Sequence, residues 1–432
     1  MTTKFKITSL GPCRIDSPLG LSAFISDDDR ILFNTGIDNY ALEQDASGLP
    51  LSLECAGPRE KIFFDPATTR AAIVTCGGLC PGINDVIRSL TMTLFYRYGV
   101  RQILGIKYGL RGLNPTLGHK PIGLTPDFVK DITHIGGSTL SSSRGPQDSD
   151  VMIDYLADMK VSILFCIGGD GTMRAAEKLT QTVTARGLAM AVIGIPKTID
   201  NDLSLIEKSF GFDTAIEKTV EAVRCAHVEA KGAHHGIGLV KIMGRESGYI
   251  TATAALAQGD ANFVLIPEVP FDLDGEKGFL NALKRRMETR EHAVILVAEG
   301  AGQELMSQGS IQRQTDASGN VRLQDIGLFL KKSIEEYFKK ENFEINLKYI
   351  EPSYIIRSVP ANASDSIYCS SLGQYSVHAA MAGKTGLLVA LRNDAYVHLP
   401  LSAVISGRKI DPEGNVWLRV LEATGQPASM KA

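Results

Sequence analysis

The amino-acid sequence predicts an α/β protein: two doubly wound, Rossmann-like α/β domains behind an N-terminal extension. Three observations predict it. Apolar runs of strand length alternate with longer helical stretches, glycine-rich turns follow the runs, and the alternation occurs twice with different turn chemistry. With 432 residues the chain is too long for one comfortable core.

Residues 1–70 are rich in Asp, Pro, Ser and Gly, with the strand-like pieces ILFNT and KIFFD, and read as a small extension. The first domain, 71–212, follows as strand AAIVT, turn GGLCPG and helix INDVIRSLTMTLFYRYG; strand QILGIKYG; strand ILFCI, turn GGDG and helix TMRAAEKLTQTVTARG; then strand AMAVIGI and the segment PKTIDND. Part of 353–432 is expected to complete it. FGFDTA, near residue 213, is taken as the hinge. The second domain, 213–352, reads as helix TAIEKTVEAVRCAHVEA, strand GIGLVKIMG, helix YITATAALAQG, strand FVLIPE, helix GFLNALKRRMETREH and strand AVILVAEG. Ligands of open α/β sheets bind beyond the carboxyl ends of strands, so the polar motifs there are expected to converge on one cleft.

Composition removes several classes. Hydrophobic residues at 44% and charged ones at 22% place the chain among globular proteins. No apolar run approaches a bilayer's thickness and MTTKFKITSL lacks a signal-peptide core, so a cytoplasmic protein is expected, with no membrane partner. Seven cysteines, Cys13, Cys55, Cys76, Cys80, Cys166, Cys225 and Cys369, read as reduced thiols. Cys76 and Cys80 have no second pair, so no zinc is expected. A net charge of −3 gives no general pull on nucleic acid. Any anionic ligand must meet local donors.

Two turns have the composition of phosphate cradles. In CGGLCPGIN, containing Gly78, and IGGDGT, containing Gly169, Asp170, Gly171 and Thr172, glycines let backbone N–H groups approach a ligand at a helix start. Asp170 is the metal candidate, because Mg²⁺ beside a polyphosphate needs only one protein carboxylate. Arg144, followed by Gly145 in LSSSRGPQ, offers a guanidinium fork for phosphate oxygens, with a solvated surface charge as the structural alternative. In PKTIDND, an extended reading puts Thr198, Asp200 and Asp202 on one side, with the carboxylates about 7 Å apart, and Lys197 opposite or swung over by the proline. One carboxylate can take a hydroxyl proton while Lys197 balances phosphoryl charge; turn capping is the structural alternative. Met243, Gly244 and Arg245 in KIMGRESG, Glu299 in VAEG, and Tyr354 and Arg357 in YIIRSVPANASD suit a sugar phosphate. Adjacent His234 and His235 would point apart on a strand and read as polar loop residues.

Together these motifs resemble the phosphofructokinase family over roughly residues 55 to 385, in its long form. The resemblance implies that Asp200 is general base toward the 1-hydroxyl of fructose 6-phosphate, supported by Thr198 and Asp202. Met243, Gly244, Arg245, Glu299, Tyr354 and Arg357 would hold that sugar, with Arg245 also near the transferring group. Gly78, Arg144, Gly145, Gly169, Asp170, Gly171 and Thr172 would hold the phosphoryl donor with Mg²⁺. In this family glycine after the GGD aspartate goes with ATP and aspartate with pyrophosphate, because a carboxylate would repel the α-phosphate. Gly171 therefore implies ATP, while Lys197 is usual in pyrophosphate-type members, the alternative reading. A homo-oligomer, dimer or tetramer, is implied. Gly236 stands where short bacterial members carry an arginine that reaches a neighbouring subunit, so their regulation is not carried over. A non-catalytic sugar-phosphate sensor, or a GGDGT kinase acting on NAD or a lipid, is the competing class; the first fits poorly with both Asp170 and Asp200 present, and the second would lack TIDND with MGR.

Overall fold

The computed structural model describes residues 5–36, 44, 48–306, 322–404 and 407–431. The chain divides into two compact units. The first comprises Met1–Thr198, Leu203–Gly211 and Ser358–Gly407; the second comprises Ile199–Asp202, Phe212–Arg357 and Arg408–Ala432.

The first unit is built on a seven-stranded sheet, in the order Ala395–Pro400, Leu387–Arg392, Ala191–Pro196, Ile163–Gly168, Arg70–Thr75, Gln102–Ile106 and Ile122–Gly123. The five inner strands are parallel and the two edges antiparallel. Ile163–Gly168 and Ala191–Pro196 are buried at every position, which explains their unbroken apolar runs: a strand covered on both faces has no polar side to show. Helix Asp170–Ala185 buries Met173, Ala176, Leu179 and Val183 at three- and four-residue spacing. The stretch expected as one helix after the first glycine turn is instead α-helix Ile83–Met92 continued by π-helix Thr93–Tyr98, ending at Gly99 with φ 80°.

Among the described residues, the first seventy build no separate core. Phe5, Phe33 and Leu53 are buried with Val74, Leu164 and Val192 of the large sheet. Thr8–Ser9 pairs with Lys384–Thr385. Buried Glu54 accepts from Arg59 at 3.0 Å and pairs with His398 at 2.9 Å. A segment this polar buries its few aromatics in a larger neighbour.

The second unit has a four-stranded, all-parallel sheet in the order Phe263–Leu265, His292–Ala298, Gly236–Ile242 and Asn346–Ile350. Helices Phe212–Lys231, Tyr249–Gln258, Phe279–Arg290 and Ile326–Lys340 accompany it. Strand Asn346–Ile350 escapes the sequence reading because, as an edge, it alternates partly buried and exposed residues without an apolar run. Helix Asn415–Thr424 also belongs here, and Met430 joins this core.

Candidate active site

In the first unit three parallel strands end side by side, at Thr75, Gly168 and Pro196, and each hands the chain to a predicted motif. Cys76 N–H donates to the Ile167 carbonyl at 2.9 Å and Lys197 N–H to the Gly168 carbonyl at 2.9 Å, so all three turns are tied together. Lys197 is buried, and its Nζ donates to the Gly78 carbonyl at 2.7 Å. The Arg144 loop joins them. Gly77 N–H donates to the Ser143 carbonyl at 3.1 Å, and Ser142 Oγ to the Gly77 carbonyl at 2.7 Å. Arg144 is exposed, and Gly145 closes the loop with φ 95°. Thus the turns that carry Gly78, Arg144, Gly145, Gly169, Asp170, Gly171, Thr172 and Lys197 gather beyond the carboxyl ends of three inner strands of one sheet.

Gly171 is the informative glycine. It lies in the first turn of helix Asp170–Ala185, and a Cβ built there meets nothing within 4 Å. Packing does not demand it. Thr172, next to it, is buried. Cys76 is also buried and desolvation pushes its thiol up to about 11, which makes it inert at neutral pH. Cys80 donates Sγ–H to the Phe210 carbonyl at 3.1 Å.

Asp170 heads a helix, where the macrodipole favours a carboxylate, and it pairs with Arg174 one turn on. Its side chain is 32% accessible. Among the described residues no group of three or more His, Cys, Asp or Glu could cage a metal. One accessible carboxylate beside a backbone-lined turn fits a hard cation whose other ligands are phosphate oxygens and water, as Mg²⁺ prefers.

The segment after Pro196 is bent, not extended. Bends fall at Ile199 and Asp200, and Asn201 takes φ 52°. The regular strand alternation assumed for Thr198, Asp200 and Asp202 therefore fails as geometry. Their exposure still alternates: those three are partly open, while Lys197, Ile199, Asn201 and Leu203 are buried. Within the second unit the Asp200 carbonyl lies 3.4 Å from the Ser247 hydroxyl, and the Asp202 carbonyl accepts from Arg408 N–H at 2.6 Å. Ser247 and Arg408 are supports that the sequence reading missed; Arg408 is some two hundred positions away and carries no local signal.

The second unit repeats the arrangement. Glu299 follows strand His292–Ala298, Met243–Arg245 follow Gly236–Ile242, and Tyr354 and Arg357 follow Asn346–Ile350; these three strands are neighbours. Glu299 N–H donates to the Ile242 carbonyl at 2.8 Å and Gly300 N–H to the Gly244 carbonyl at 3.0 Å. Gly244 takes φ 137°, and a Cβ there would sit 2.5 Å from the Ser247 carbonyl oxygen. Only glycine fits that turn. Tyr354 is exposed and the Arg357 guanidinium lies 4.9 Å from its ring centroid. Arg357 Nε is buried, with no hydrogen-bond acceptor among the described residues.

His234 and His235 sit in the turn before strand Gly236–Ile242, as their reading as polar loop residues expects; His235 takes φ 47°, and their ring centroids lie 3.9 Å apart. At Gly236 a Cβ would stand 1.9 Å from the Ala230 carbonyl oxygen. No arginine can occupy that position without moving the helix. No helix among the described residues is long and apolar enough to cross a membrane.

Backbone donors with one carboxylate suit a polyphosphate and its cation, and arginines beside carboxylates suit a hydroxylated anion; a protein so equipped is of the phosphotransferase class. Sequence comparison narrows the class. The profile of the family described as Phosphofructokinase matches residues 70–380, and the chain belongs to that family. It is 50% identical, over 99% of its length and 98% of the relative's, to the ATP-dependent 6-phosphofructokinase of Borreliella burgdorferi. It is 46% identical over 99% of its length to the enzyme of that name from Amycolatopsis methanolica, covering 96% of it. The pyrophosphate-dependent phosphofructokinase from Marinobacter aquaeolei shares the fold at a TM-score of 0.67 and 20% identity, over 83% of this chain and 91% of that one.

Proposed function

We infer that this chain is an ATP-dependent 6-phosphofructokinase, which moves the γ-phosphoryl group of ATP to the 1-hydroxyl of fructose 6-phosphate and yields fructose 1,6-bisphosphate. The observation that carries the donor choice is the open space at Gly171, which no packing demand explains and which leaves room for a nucleotide's α-phosphate. Identity of 46% and 50% over 99% of the chain to enzymes named for ATP supports the same choice.

The roles follow from the chemistry of each group. Asp200 accepts the proton of the 1-hydroxyl as its oxygen attacks the γ-phosphorus, and ADP leaves with the broken P–O pair. Thr198 and Asp202 orient that hydroxyl. Lys197 and Arg245 offset charge on the moving group. Backbone N–H groups around Gly78 and Gly169 to Thr172, with Arg144 and Gly145, hold the donor phosphates. Asp170 would hold Mg²⁺, which when bound would supply electrostatic stabilisation of the transferring group. Met243, Gly244, Glu299, Tyr354 and Arg357 hold the sugar phosphate, and the buried, unaccepted Nε of Arg357 supports an anion there. The protein works in the cytoplasm as a homo-oligomer of two or four chains, which light scattering of the purified protein checks.

The deciding experiment is a coupled assay with fructose 6-phosphate and Mg²⁺, comparing ATP with pyrophosphate. Turnover with ATP is the expected result. Product from pyrophosphate alone overturns the donor choice.

A further inference from the structure

Two substrate segments of the second unit leave neighbouring parallel strands. Val240 pairs with Ile350, so the chain reaches Met243–Arg245 on one strand and Tyr354–Arg357 on the other from the same sheet end. Lys241 joins them. Its side chain is 12% accessible, and Nζ pairs with Asp325 at 2.8 Å and Glu351 at 2.9 Å. Glu351 in turn accepts from Tyr349 Oη at 3.0 Å and Ser353 Oγ at 2.6 Å. Ser353 is held at φ 32°, a left-handed conformation that costs a serine strain and persists only where its surroundings enforce it.

We propose that Lys241, through Glu351 and the strained Ser353, is a positioning residue that sets Tyr354 and Arg357 against the Met243–Arg245 turn for binding of the sugar phosphate. This rests on the functional reading above. The argument is geometric: Ser353 directly precedes Tyr354, and its backbone turn fixes where Tyr354 and, three residues later, Arg357 emerge. The Ser353 hydroxyl bond to Glu351 opposes relaxation of that turn, and the Lys241 ion pair holds Glu351 to the strand that delivers Arg245. Burial favours protonation of Glu351, yet the hydrogen bonds from Ser353, Lys241 and Tyr349 hold its carboxyl below the usual range, so the pair stays charged. Asp325 caps helix Ile326–Lys340 through Leu328 N–H and anchors Lys241 from its other side.

The test uses the full chain and three variants. Lys241→Met should raise the KM for fructose 6-phosphate about tenfold, with the KM for ATP and kcat within about twofold, as loss of ground-state and transition-state binding together predicts. Lys241→Arg should restore most of that loss. Ser353→Gly removes the hydroxyl while glycine accepts φ 32° freely, so it should fold normally and still raise the sugar KM severalfold. Should both Lys241→Met and Ser353→Gly keep the sugar KM within twofold, or should Lys241→Met weaken ATP and sugar equally, the positioning role is overturned while the phosphofructokinase reading stands. An unaltered chain that turns over no fructose 6-phosphate overturns both.

Discussion

Replacing Gly171 with aspartate separates the room at the donor turn from the stability of the fold. The residue lies in the first turn of helix Asp170–Ala185, and a Cβ there meets nothing within 4 Å. Exchanging a helical glycine for another residue gains a few tenths of a kcal/mol, about 0.3. A carboxylate near the positive helix end gains about 0.3–1 kcal/mol, which repulsion from neighbouring Asp170 offsets by a similar amount. The melting temperature should therefore move by no more than a few degrees. Donor binding should respond far more. A carboxylate about 6 Å from a donor phosphate, at an effective dielectric constant of about 20, costs about 3 kcal/mol before screening. That corresponds to a rise of about tenfold to a hundredfold in the KM for ATP. Initial rates at varied ATP and saturating fructose 6-phosphate read this directly, with the sugar KM expected within twofold. A folded variant whose KM for ATP stays within twofold of the unaltered enzyme would refute the placement of Gly171 against the donor.

Other outcomes follow from the same chemistry. Asp200→Asn should leave sugar binding in place while lowering kcat by about 10²–10⁴, and near-normal turnover would remove its assignment as base. Lys197→Met strips the donor from the Gly78 carbonyl in a buried place; it should cost about 1–3 kcal/mol in chemical denaturation and lower kcat at least about tenfold, so a stable, active variant would contradict both roles. Acid should weaken the fold through His378, whose pKa burial, followed by the charges of Arg59 and Arg97, lowers from 6.5 to about 4. The folded ring stays neutral while the unfolded one takes a proton, so its contribution is full above pH 6.5 and is lost as pH falls toward 4, by about 2–3 kcal/mol. Melting curves at pH 7 and pH 5 should converge for His378→Gln relative to the unaltered chain, and an identical acid sensitivity in both would exclude this source.

How much was legible in the chain depended on how local the cause was. Buried parallel strands such as ILFCI and AMAVIGI carry their signal in a run of apolar residues, because both faces are covered and no polar alternation interrupts them. Glycine turns follow directly after such runs. The α/β class and the motifs GGLCPG, GGDG and MGR were readable for that reason. The family followed from the motifs together. Edge strand Asn346–Ile350 and helix Ala363–Met381 gave weaker signals, since an edge keeps polar residues and a helix buried on much of its surface has little amphipathic contrast.

The sequence by itself determined which residue types stand beyond each strand, because strand, turn and helix propensities act over a few neighbours. Only the tertiary structure decided how those residues are held. It placed Lys197 Nζ on the Gly78 carbonyl, bent the chain at Asn201 where an extended segment had been expected, and brought Lys241 between Asp325 and Glu351. Such contacts join positions tens to more than a hundred residues apart. Their energy comes from burial and hydrogen bonds that exist only once the sheet has set strand beside strand.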